Sequence, residues 1–282
     1  MIPKRIHFYW GNDKMSFLRY MTLKSFRYFN PDWEINLITN DKSSENFMKW
    51  TTLEKQDKVG YKGIDYFSKI QDLNVNIIPL DYDLFVNEID PQMSDVHISD
   101  FLGWWLMWKE GGFIADMDIL FTKPLDNLLV SLNPATNMAM VMFSRFDNYM
   151  PVSFMAGDGN DNAFYRDTFL RAKDNYDPTV YQSAGSNCIP FKSSEEIKEV
   201  YPDLTYTKLI DSVVFPFHEQ LDGNWAKFCF IGNRIKFLNP AHVGIHWYAG
   251  TPISQEWNNM ITEETYMNYQ NTICHIIKND IR

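Results

Sequence analysis

The sequence has no segment that would place it in a membrane. A transmembrane helix needs about 20 consecutive apolar residues, and the densest apolar run, residues 101–108, is far shorter. Lys4 and Arg5 make the first ten residues basic, but the apolar stretch of a signal peptide does not follow them. We therefore expect a soluble protein without a membrane span.

Cysteine is scarce as well. The chain contains 3 cysteines, Cys188, Cys229 and Cys274, which lie far apart in the sequence. They form neither a C-x-x-C pair nor the spacing of a zinc site, and an odd number cannot be paired completely. Reduced thiols are typical of intracellular proteins, so we expect a cytoplasmic location.

Positive charge is in deficit. The 26 Lys and Arg residues are outnumbered by 36 Asp and Glu residues, which gives a formal net charge of −10. An acidic surface repels phosphate backbones, so general binding of nucleic acid is disfavoured, although a local basic groove stays compatible with this charge. The chain also lacks the P-loop of many nucleotide-binding proteins and the G-x-S-x-G motif of hydrolases.

Helical and strand-like patterns alternate along the chain. The predicted strands are Arg5–Trp10, Trp33–Thr39, Asn74–Leu80, Phe113–Ala115, Met138–Phe143, Leu204–Leu209, Ala226–Ile231 and Val243–Trp247. The longest predicted helices are Met15–Tyr28, Pro91–Glu110, Asp161–Tyr176 and Thr262–Lys278. This order predicts the α/β class, with a Rossmann-type, mostly parallel sheet and flanking helices in a single domain. Ligands of such sheets bind beyond the carboxyl ends of the strands.

Two acidic residues follow one of these predicted strands. Gly111 and Gly112 end a helix, Phe113–Ala115 forms the strand, and Asp116 and Asp118 come directly after it. Alternate residues of an extended segment point the same way, so the two carboxylates can share a face, where a divalent cation relieves their repulsion. Oxygen ligands favour Mg²⁺ or Mn²⁺, and such an ion can neutralise a diphosphate leaving group. A surface turn with two solvated acids is the alternative.

Three segments resemble the DXD-motif sugar transferases, a family that includes yeast-type initiating mannosyltransferases and is related to the glucosyltransferase domains of large clostridial toxins. The opening segment Ile2–Gly11, with the sequence IPKRIHFYWG, resembles the start of that family. The block 99–118 resembles its central signature, in which Asp116 follows Asp100 by 16 residues. A weaker match is His246–Thr251, with the sequence HWYAGT.

The resemblance implies a GT-A fold and an enzyme that transfers a hexosyl or pentosyl group with retention of anomeric configuration. The donor would be a UDP- or GDP-sugar, with UDP favoured, and the acceptor a hydroxyl group, in the first instance of a glycan. Mn²⁺ or Mg²⁺ would be the cofactor. Residues 1–120 would form the nucleotide-sugar-binding half, and residues 121–282 the acceptor-binding half with a closing C-terminal segment.

The resemblance also assigns roles to individual residues. The implied donor-binding residues are Tyr9, Trp10, Ser99, Asp100 and Asp116. The implied catalytic residues are Asp116 and Asp118, and the implied metal ligands are Asp116, Asp118 and His246. Trp10 would stack on the base, as suits a large flat indole, and imidazole is a suitable ligand for Mn²⁺.

Alternatives remain open at this stage. Trp10 can instead be a core aromatic, Ser99 and Asp100 polar residues of a helix surface, and His246 a structural histidine. The whole chain can instead be a sugar- or nucleotide-binding protein without transfer activity. A further alternative keeps the chemistry but takes hydroxylated DNA bases as the acceptor, which the acidic charge disfavours.

One position departs from the family pattern. The family usually has an arginine three residues after the Asp100 position, and this chain has Gly103 there. Either Trp104 or Trp105 needs the space, or the donor sugar lacks the group that the arginine would hold. Arg145 is a candidate replacement. The departure leaves the donor sugar undetermined.

Overall fold

A seven-stranded sheet forms the centre of the structure. The structure is a computed structural model that describes residues 1–11, 13–40, 61–81, 93–130, 138–143, 150–191, 193–210, 213–217, 225–238 and 241–281. Its strands are β1 Arg5–Trp10, β2 Glu34–Thr39, β3 Asn76–Pro79, β4 Gly112–Ala115, β5 Ile119–Phe121, β6 Met138–Phe143, β7 Phe154–Gly157, β8 Thr205–Ile210 and β9 Gly244–His246. The order in the large sheet is β3-β2-β1-β4-β7-β6-β8, and β5 and β9 form a separate pair.

The sheet is mostly parallel, as the sequence predicts. Strands β3, β2, β1 and β4 run parallel to one another, with Ile6 of β1 opposite both Ile35 and Phe113. Strand β7 lies antiparallel between β4 and β6, and β8 runs parallel to β6. The carboxyl ends of β1 and β4 therefore lie at the same edge of the sheet.

Helices connect the strands. They are α1 Phe17–Phe29, α2 Asp95–Lys109, α3 Asp126–Val130, α4 Ala163–Asn175, α5 Ser194–Val200, α6 Trp225–Phe230, α7 Pro252–Met260 and α8 Thr272–Asn279. Short 3-10 helices occur at Phe67–Leu73, Ser186–Cys188, Ile235–Phe237 and Tyr266–Asn268. Five of the helices begin after a serine or asparagine whose side chain accepts a backbone N–H of the first turn. These capping residues are Ser16, Ser94, Asn162, Ser193 and Asn271.

Side chains from the two faces of the sheet enter two separate hydrophobic clusters. Along β1, Ile6 and Phe8 join the cluster that contains α1, β5, β9 and α8, whereas Tyr9 joins the cluster of α2 and α4. This alternation is the two-residue period of a strand that is covered on both faces. The result is an α/β/α arrangement, which confirms the predicted fold class.

The turn between α2 and β4 depends on two glycines. Gly111 and Gly112 have φ values of 70° and 100°, which side chains disfavour. A Cβ atom on Gly111 would lie 2.5 Å from the backbone carbon of Asp158, and one on Gly112 would lie 2.8 Å from the carbonyl oxygen of Arg5. Both glycines let the chain pass close to its neighbours, and this fixes where β4 begins.

Two sequence predictions in the last quarter of the chain are wrong. Ala226–Ile231, predicted as a strand, is mostly helix α6, and Thr262–Lys278, predicted as one helix, contains a 3-10 turn and the shorter α8. The sequence analysis also missed β5, β7 and α7. None of the helices within the described residues is long and apolar enough to cross a membrane.

Candidate functional site

The acid pair lies in a tight turn between β4 and β5, at the carboxyl edge of the sheet. The Asp116 N–H donates to the Ser153 carbonyl at 2.9 Å, and the Ile119 N–H donates to the Asp116 carbonyl at 3.3 Å. The intervening Met117 is buried, and its carbonyl accepts the Thr22 hydroxyl at 2.9 Å. These backbone contacts fix the turn, so that both carboxylates lie in one cluster, as expected, although the segment is a turn and not the extended chain of the alternation argument.

The β5–β9 pair brings a histidine to the acids. Ile119 of β5 is paired with His246, the last residue of β9. The His246 Nε2 lies 3.2 Å from Asp118 Oδ1 and 3.6 Å from Asp116 Oδ2. Both His246 and Asp118 are buried, whereas the side chain of Asp116 is 43% exposed. The acid furthest from the histidine is thus the one that a ligand can reach.

Asp118 is surrounded by donors and cations. Its Oδ2 accepts the Ala249 N–H at 2.7 Å, and its backbone carbonyl accepts the Trp247 N–H at 2.9 Å. The Arg19 Nη1 lies 3.9 Å from Asp118 Oδ1. Burial alone would raise the pKa of Asp118, but His246, Arg19 and the Ala249 N–H outweigh burial and hold the pKa well below its usual range. Asp118 is therefore ionised at any ordinary pH.

The histidine responds in the opposite direction. Burial lowers the pKa of His246, but the charges of Asp118 and Asp116 and their hydrogen bonds outweigh burial and raise the pKa to about 10. The Tyr248 N–H lies 3.3 Å from Nδ1, a contact that requires an unprotonated Nδ1. The attraction of a protonated His246 ring to two carboxylates is stronger than the one long hydrogen bond from the Tyr248 N–H. The two carboxylates therefore favour the protonated form of the ring.

Asp116, Asp118 and His246 suit a divalent cation. Each offers one ligand atom, and these three atoms lie within 4.8 Å of one another. Two carboxylate oxygens and one imidazole nitrogen form a donor set that Mn²⁺ accepts and that Mg²⁺ accepts in part. The pKa of Asp116 is raised, first by desolvation and then by the charge of Asp118. A cation would relieve the repulsion between these two carboxylates. The residues present therefore fit a metal.

This arrangement predicts that metal binding releases a proton. Since the pKa of His246 is about 10 in the free protein, the ring must lose a proton to become a ligand at pH 7.5. We expect close to one proton released per Mn²⁺ bound, and an affinity that rises as the pH increases from 7 to 9. Calorimetry in buffers of different ionisation enthalpy measures this number. The His246→Asn variant serves as the control and should release none; equal release by both proteins would contradict the assignment.

Trp10 stands beside this cluster at the end of β1. Its indole N–H donates to the Asp13 carbonyl at 2.9 Å. The Arg19 guanidinium lies 5.4 Å from the centre of the Trp10 ring and 5.1 Å from that of Trp247. No other ring or cation of the described residues stacks on Trp10. One face of the indole is thus backed by Arg19, and that guanidinium links Trp10 to Asp118.

Asp100 lies on α2, near the acid pair. Its Oδ2 is buried and has no hydrogen-bond partner among the residues that the structure describes. Burial first, and then the charge of Asp116, raise the pKa of Asp100 well above its ordinary value of 3.8. The backbone of Gly185 passes so close that a Cβ atom there would lie 2.7 Å from this oxygen. A buried acceptor without a partner is uncommon and often marks a ligand site, so Asp100 Oδ2 is a candidate to accept a hydrogen bond from a ligand.

The remaining predicted donor residues are less closely involved with the cluster. Ser99 is partly exposed, and no hydrogen bond to its hydroxyl is found within the described part of the chain. Tyr9 is buried in the α2 and α4 layer, where its hydroxyl donates to Asp95 at 2.6 Å. The structure therefore places Tyr9 on the opposite face of β1 from Trp10, and the donor role of Tyr9 stays a prediction.

Gly103 has little free space around it. A Cβ atom at this position would lie 3.3 Å from Met155 Cε and 3.4 Å from Ile114 Cδ1. The neighbours that a side chain would meet are thus strand residues, and whether Trp104 or Trp105 needs the space stays a prediction. Arg145, the candidate replacement, lies outside the described residues.

Sequence reasoning missed Arg19 and Trp247. A signal for Arg19 was present, because it is the only charged residue in the first turns of α1, where Phe17, Leu18, Tyr20 and Met21 are all buried. A cation placed among buried residues predicts a nearby buried anion. The signal for Trp247 was its position next to His246 in the weaker matched segment. Neither partner could be named without the three-dimensional arrangement.

The fold is similar to that of two glycosyltransferases of known structure. The structure titled PaToxG Glycosyltransferase superposes with a TM-score of 0.50 and 21% sequence identity, over 71% of this chain and 70% of that chain. The glycosyltransferase GlyE of Streptococcus pneumoniae TIGR4 superposes with a TM-score of 0.50 and 14% identity, over 99% of this chain.

The second superposition covers 63% of the GlyE chain, so this chain spans less than two thirds of that protein. No protein-family model and no curated protein matches the sequence. At these identities the superpositions establish the fold. The predicted α/β fold with a mostly parallel sheet and flanking helices is confirmed, and it is a fold found in glycosyltransferases.

Proposed function

We propose that the protein is a metal-dependent glycosyltransferase that moves a sugar from a nucleotide-sugar to an acceptor hydroxyl. The observation that carries the proposal is the cluster of Asp116, Asp118 and His246 at the carboxyl edge of β4 and β1. Ligands of α/β sheets bind at this edge. The similarity of the fold to two glycosyltransferases supports the same reading.

In this proposal the three side chains of the cluster hold a divalent ion, Mn²⁺ or Mg²⁺, which when bound would neutralise charge on the diphosphate of the donor. Other residues of the chain orient these side chains and contact the donor. The Ala249 N–H and Arg19 keep Asp118 ionised and oriented. The more exposed Asp116 is free to contact ribose or sugar as well. Retention of anomeric configuration, which the sequence resemblance implies, belongs to the proposal.

Asp100 and Ser99 complete the proposed donor site. The Asp100 oxygen, which is unpaired within the described residues, would accept a hydroxyl of the donor sugar or ribose, and the Ser99 hydroxyl would donate or accept beside it. A hydroxyl that pairs with Asp100 removes the penalty of a buried acceptor. Residues 1–120 would thus form most of the nucleotide-sugar-binding half. Residues 121–282 would provide His246, the acceptor side and the closing segment.

The base would stack on the face of Trp10 that Arg19 does not cover. We expect Trp10→Ala to weaken binding of the preferred nucleotide by about 1–3 kcal/mol, the usual contribution of base–aromatic stacking. Calorimetry with UDP and GDP in the presence of Mn²⁺ measures the change. Trp10→Phe keeps a ring and is the matched variant, which should retain most of the affinity. An unchanged dissociation constant in Trp10→Ala would make this residue structural.

The proposal is tested by a panel of donors. Purified protein is incubated with UDP-glucose, UDP-galactose, UDP-N-acetylglucosamine, UDP-xylose and GDP-mannose, with Mn²⁺, Mg²⁺ or a chelator. Release of UDP or GDP is measured without and with simple sugars as acceptors. We expect one donor to be hydrolysed slowly in a metal-dependent way. If nucleotide binds but no donor is turned over under any condition, the chain is a nucleotide-sugar-binding protein, and the enzyme proposal is wrong.

The alternative acceptor, a hydroxylated DNA base, is tested in the same experiment. The active donor is offered with duplex DNA that contains 5-hydroxymethylcytosine and with unmodified duplex as its control. The acidic net charge of −10 predicts no transfer to either.

A further inference from the structure

Arg19 occupies an unusual position for a charged residue. Its guanidinium lies 5.4 Å from the centre of the Trp10 ring and 5.1 Å from that of Trp247. Cation–π contacts with two indoles restrain the group. The side chain is only 21% exposed. Arg19 is thus fixed in place in the candidate site, and its rigidity is supplied by two indoles.

The donors of this guanidinium are largely unused. Its ion pair with Asp118 Oδ1 has a length of 3.9 Å, beyond hydrogen-bond distance. Within the described residues, Arg19 therefore makes a charge contact with the cluster but no hydrogen bond from its five N–H groups. A guanidinium with free donors matches the paired oxygens of a phosphate.

The same geometry places a permanent positive charge beside the metal ligands. Asp118 Oδ1, which faces Arg19, also faces His246 Nε2 at 3.2 Å. A bare divalent ion held by Asp116, Asp118 and His246 would have Arg19 as a like-charged neighbour. Like charges at such distances in a partly desolvated site repel appreciably. A diphosphate brings negative charge that both cations attract.

We propose that Arg19 makes the site select a metal–nucleotide complex over the bare ion: its fixed charge weakens binding of the ion alone and strengthens binding of the diphosphate. The inference rests on the proposed function and goes beyond it by naming the residue whose charge acts with opposite sign on the two ligands. The attraction between the bound ion and the diphosphate is itself reciprocal, so nucleotide increases the affinity for metal by the same factor as metal increases the affinity for nucleotide.

Arg19→Met tests the inference, because methionine keeps much of the length and apolar contact of the side chain and removes the charge. Affinities are measured by calorimetry for Mn²⁺ alone, for UDP and GDP with a chelator, and for each nucleotide with Mn²⁺. We expect Mn²⁺ alone to bind about tenfold more tightly and nucleotide alone about tenfold more weakly, within the usual range of coupling between sites. The two changes have opposite signs, which a loss of structure does not produce.

Two further variants keep the test decisive if Arg19→Met does not fold. Arg19→Lys retains the charge and should keep the weak binding of Mn²⁺ alone, whereas Arg19→Gln should behave as Arg19→Met. Lys24→Met removes a cation from the same helix outside the cluster, and should change neither affinity.

The outcomes separate the inference from the proposed function. Parallel loss of both affinities in Arg19→Met and Arg19→Gln would make Arg19 structural and overturn the inference. Wild-type protein that binds Mn²⁺ and nucleotide independently would overturn it too, with the proposed function intact. Wild-type protein that binds neither, alone or together, would contradict the proposed function itself.

Discussion

Asp118→Asn is expected to lower metal-dependent turnover by about 100-fold or more, which corresponds to about 3 kcal/mol of transition-state stabilisation. The variant keeps the size of the side chain, and its amide oxygen can still accept the Ala249 N–H, which Asp118 accepts at 2.7 Å. It removes the negative charge that faces both His246 and Arg19. Without the charge of Asp118, the positive charges of His246 and Arg19 leave the site with little attraction for a metal ion.

The measurement is the initial rate of nucleotide release at several Mn²⁺ concentrations, with unfolding followed by urea denaturation. Asp161→Asn is the matched control, because Asp161 is an exposed acid whose ion pair with Lys109 lies at the other edge of the sheet. Exposed ion pairs contribute about 0–1 kcal/mol, so the control should be almost fully active. Full activity of Asp118→Asn with Mn²⁺ would remove the metal role from this residue.

Asp100→Asn is expected to separate stability from activity. We expect turnover to fall about 10- to 100-fold, because a hydrogen bond to a charged group contributes about 1.5–3 kcal/mol. We expect the free energy of unfolding to increase by about 1 kcal/mol, since an unpaired buried oxygen and a carboxylate facing Asp116 are both unfavourable in the free protein. Functional sites commonly contain such destabilising groups.

The pH dependence gives a second test of Asp100. Its pKa is raised in the folded protein above the ordinary value of 3.8, so the folded state retains the proton to higher pH than the unfolded state. Raising the pH through this interval therefore destabilises the parent, and the variant escapes that loss. The stability difference should be present at pH 7.5 and should disappear well below the ordinary pKa of 3.8, where both states are protonated. Urea unfolding of parent, Asp100→Asn and the exposed-site control Asp203→Asn shows whether this is so.

Local signals made the first half of the fold predictable. Strand β1 has the predicted bounds Arg5–Trp10. Helix α2 ends just before Gly111 and Gly112, the glycines that the sequence analysis predicts as the end of a helix. The proximity of Asp116 and Asp118 was predictable from their spacing directly after a strand, although a turn, and not an extended segment, brings the two carboxylates together. These features depend on a few neighbouring residues.

Features that depend on distant residues were not predictable. Ala226–Ile231 is a short apolar run, whose length and composition suit a strand or a buried helix equally, and its contacts with α7 and α8 make it the helix α6. Strands β5 and β7 have three and four residues, too few to show a period. The contact of Arg19 with both Trp10 and Trp247 depends on the course of the whole chain.

The pairing of β5 with β9 has a consequence for how the protein acquires its site during synthesis. The Ala249 N–H that holds Asp118 comes from a residue 131 positions later in the chain, and His246 arrives with it. A nascent chain emerges from its N-terminus onward, and such long-range contacts are slow to form because a large loop must close first. The acids therefore emerge from the ribosome long before the imidazole that completes their cluster. A growing chain that has not yet reached β9 has only two of the three clustered side chains, so the cluster is complete only as one of the last events of folding.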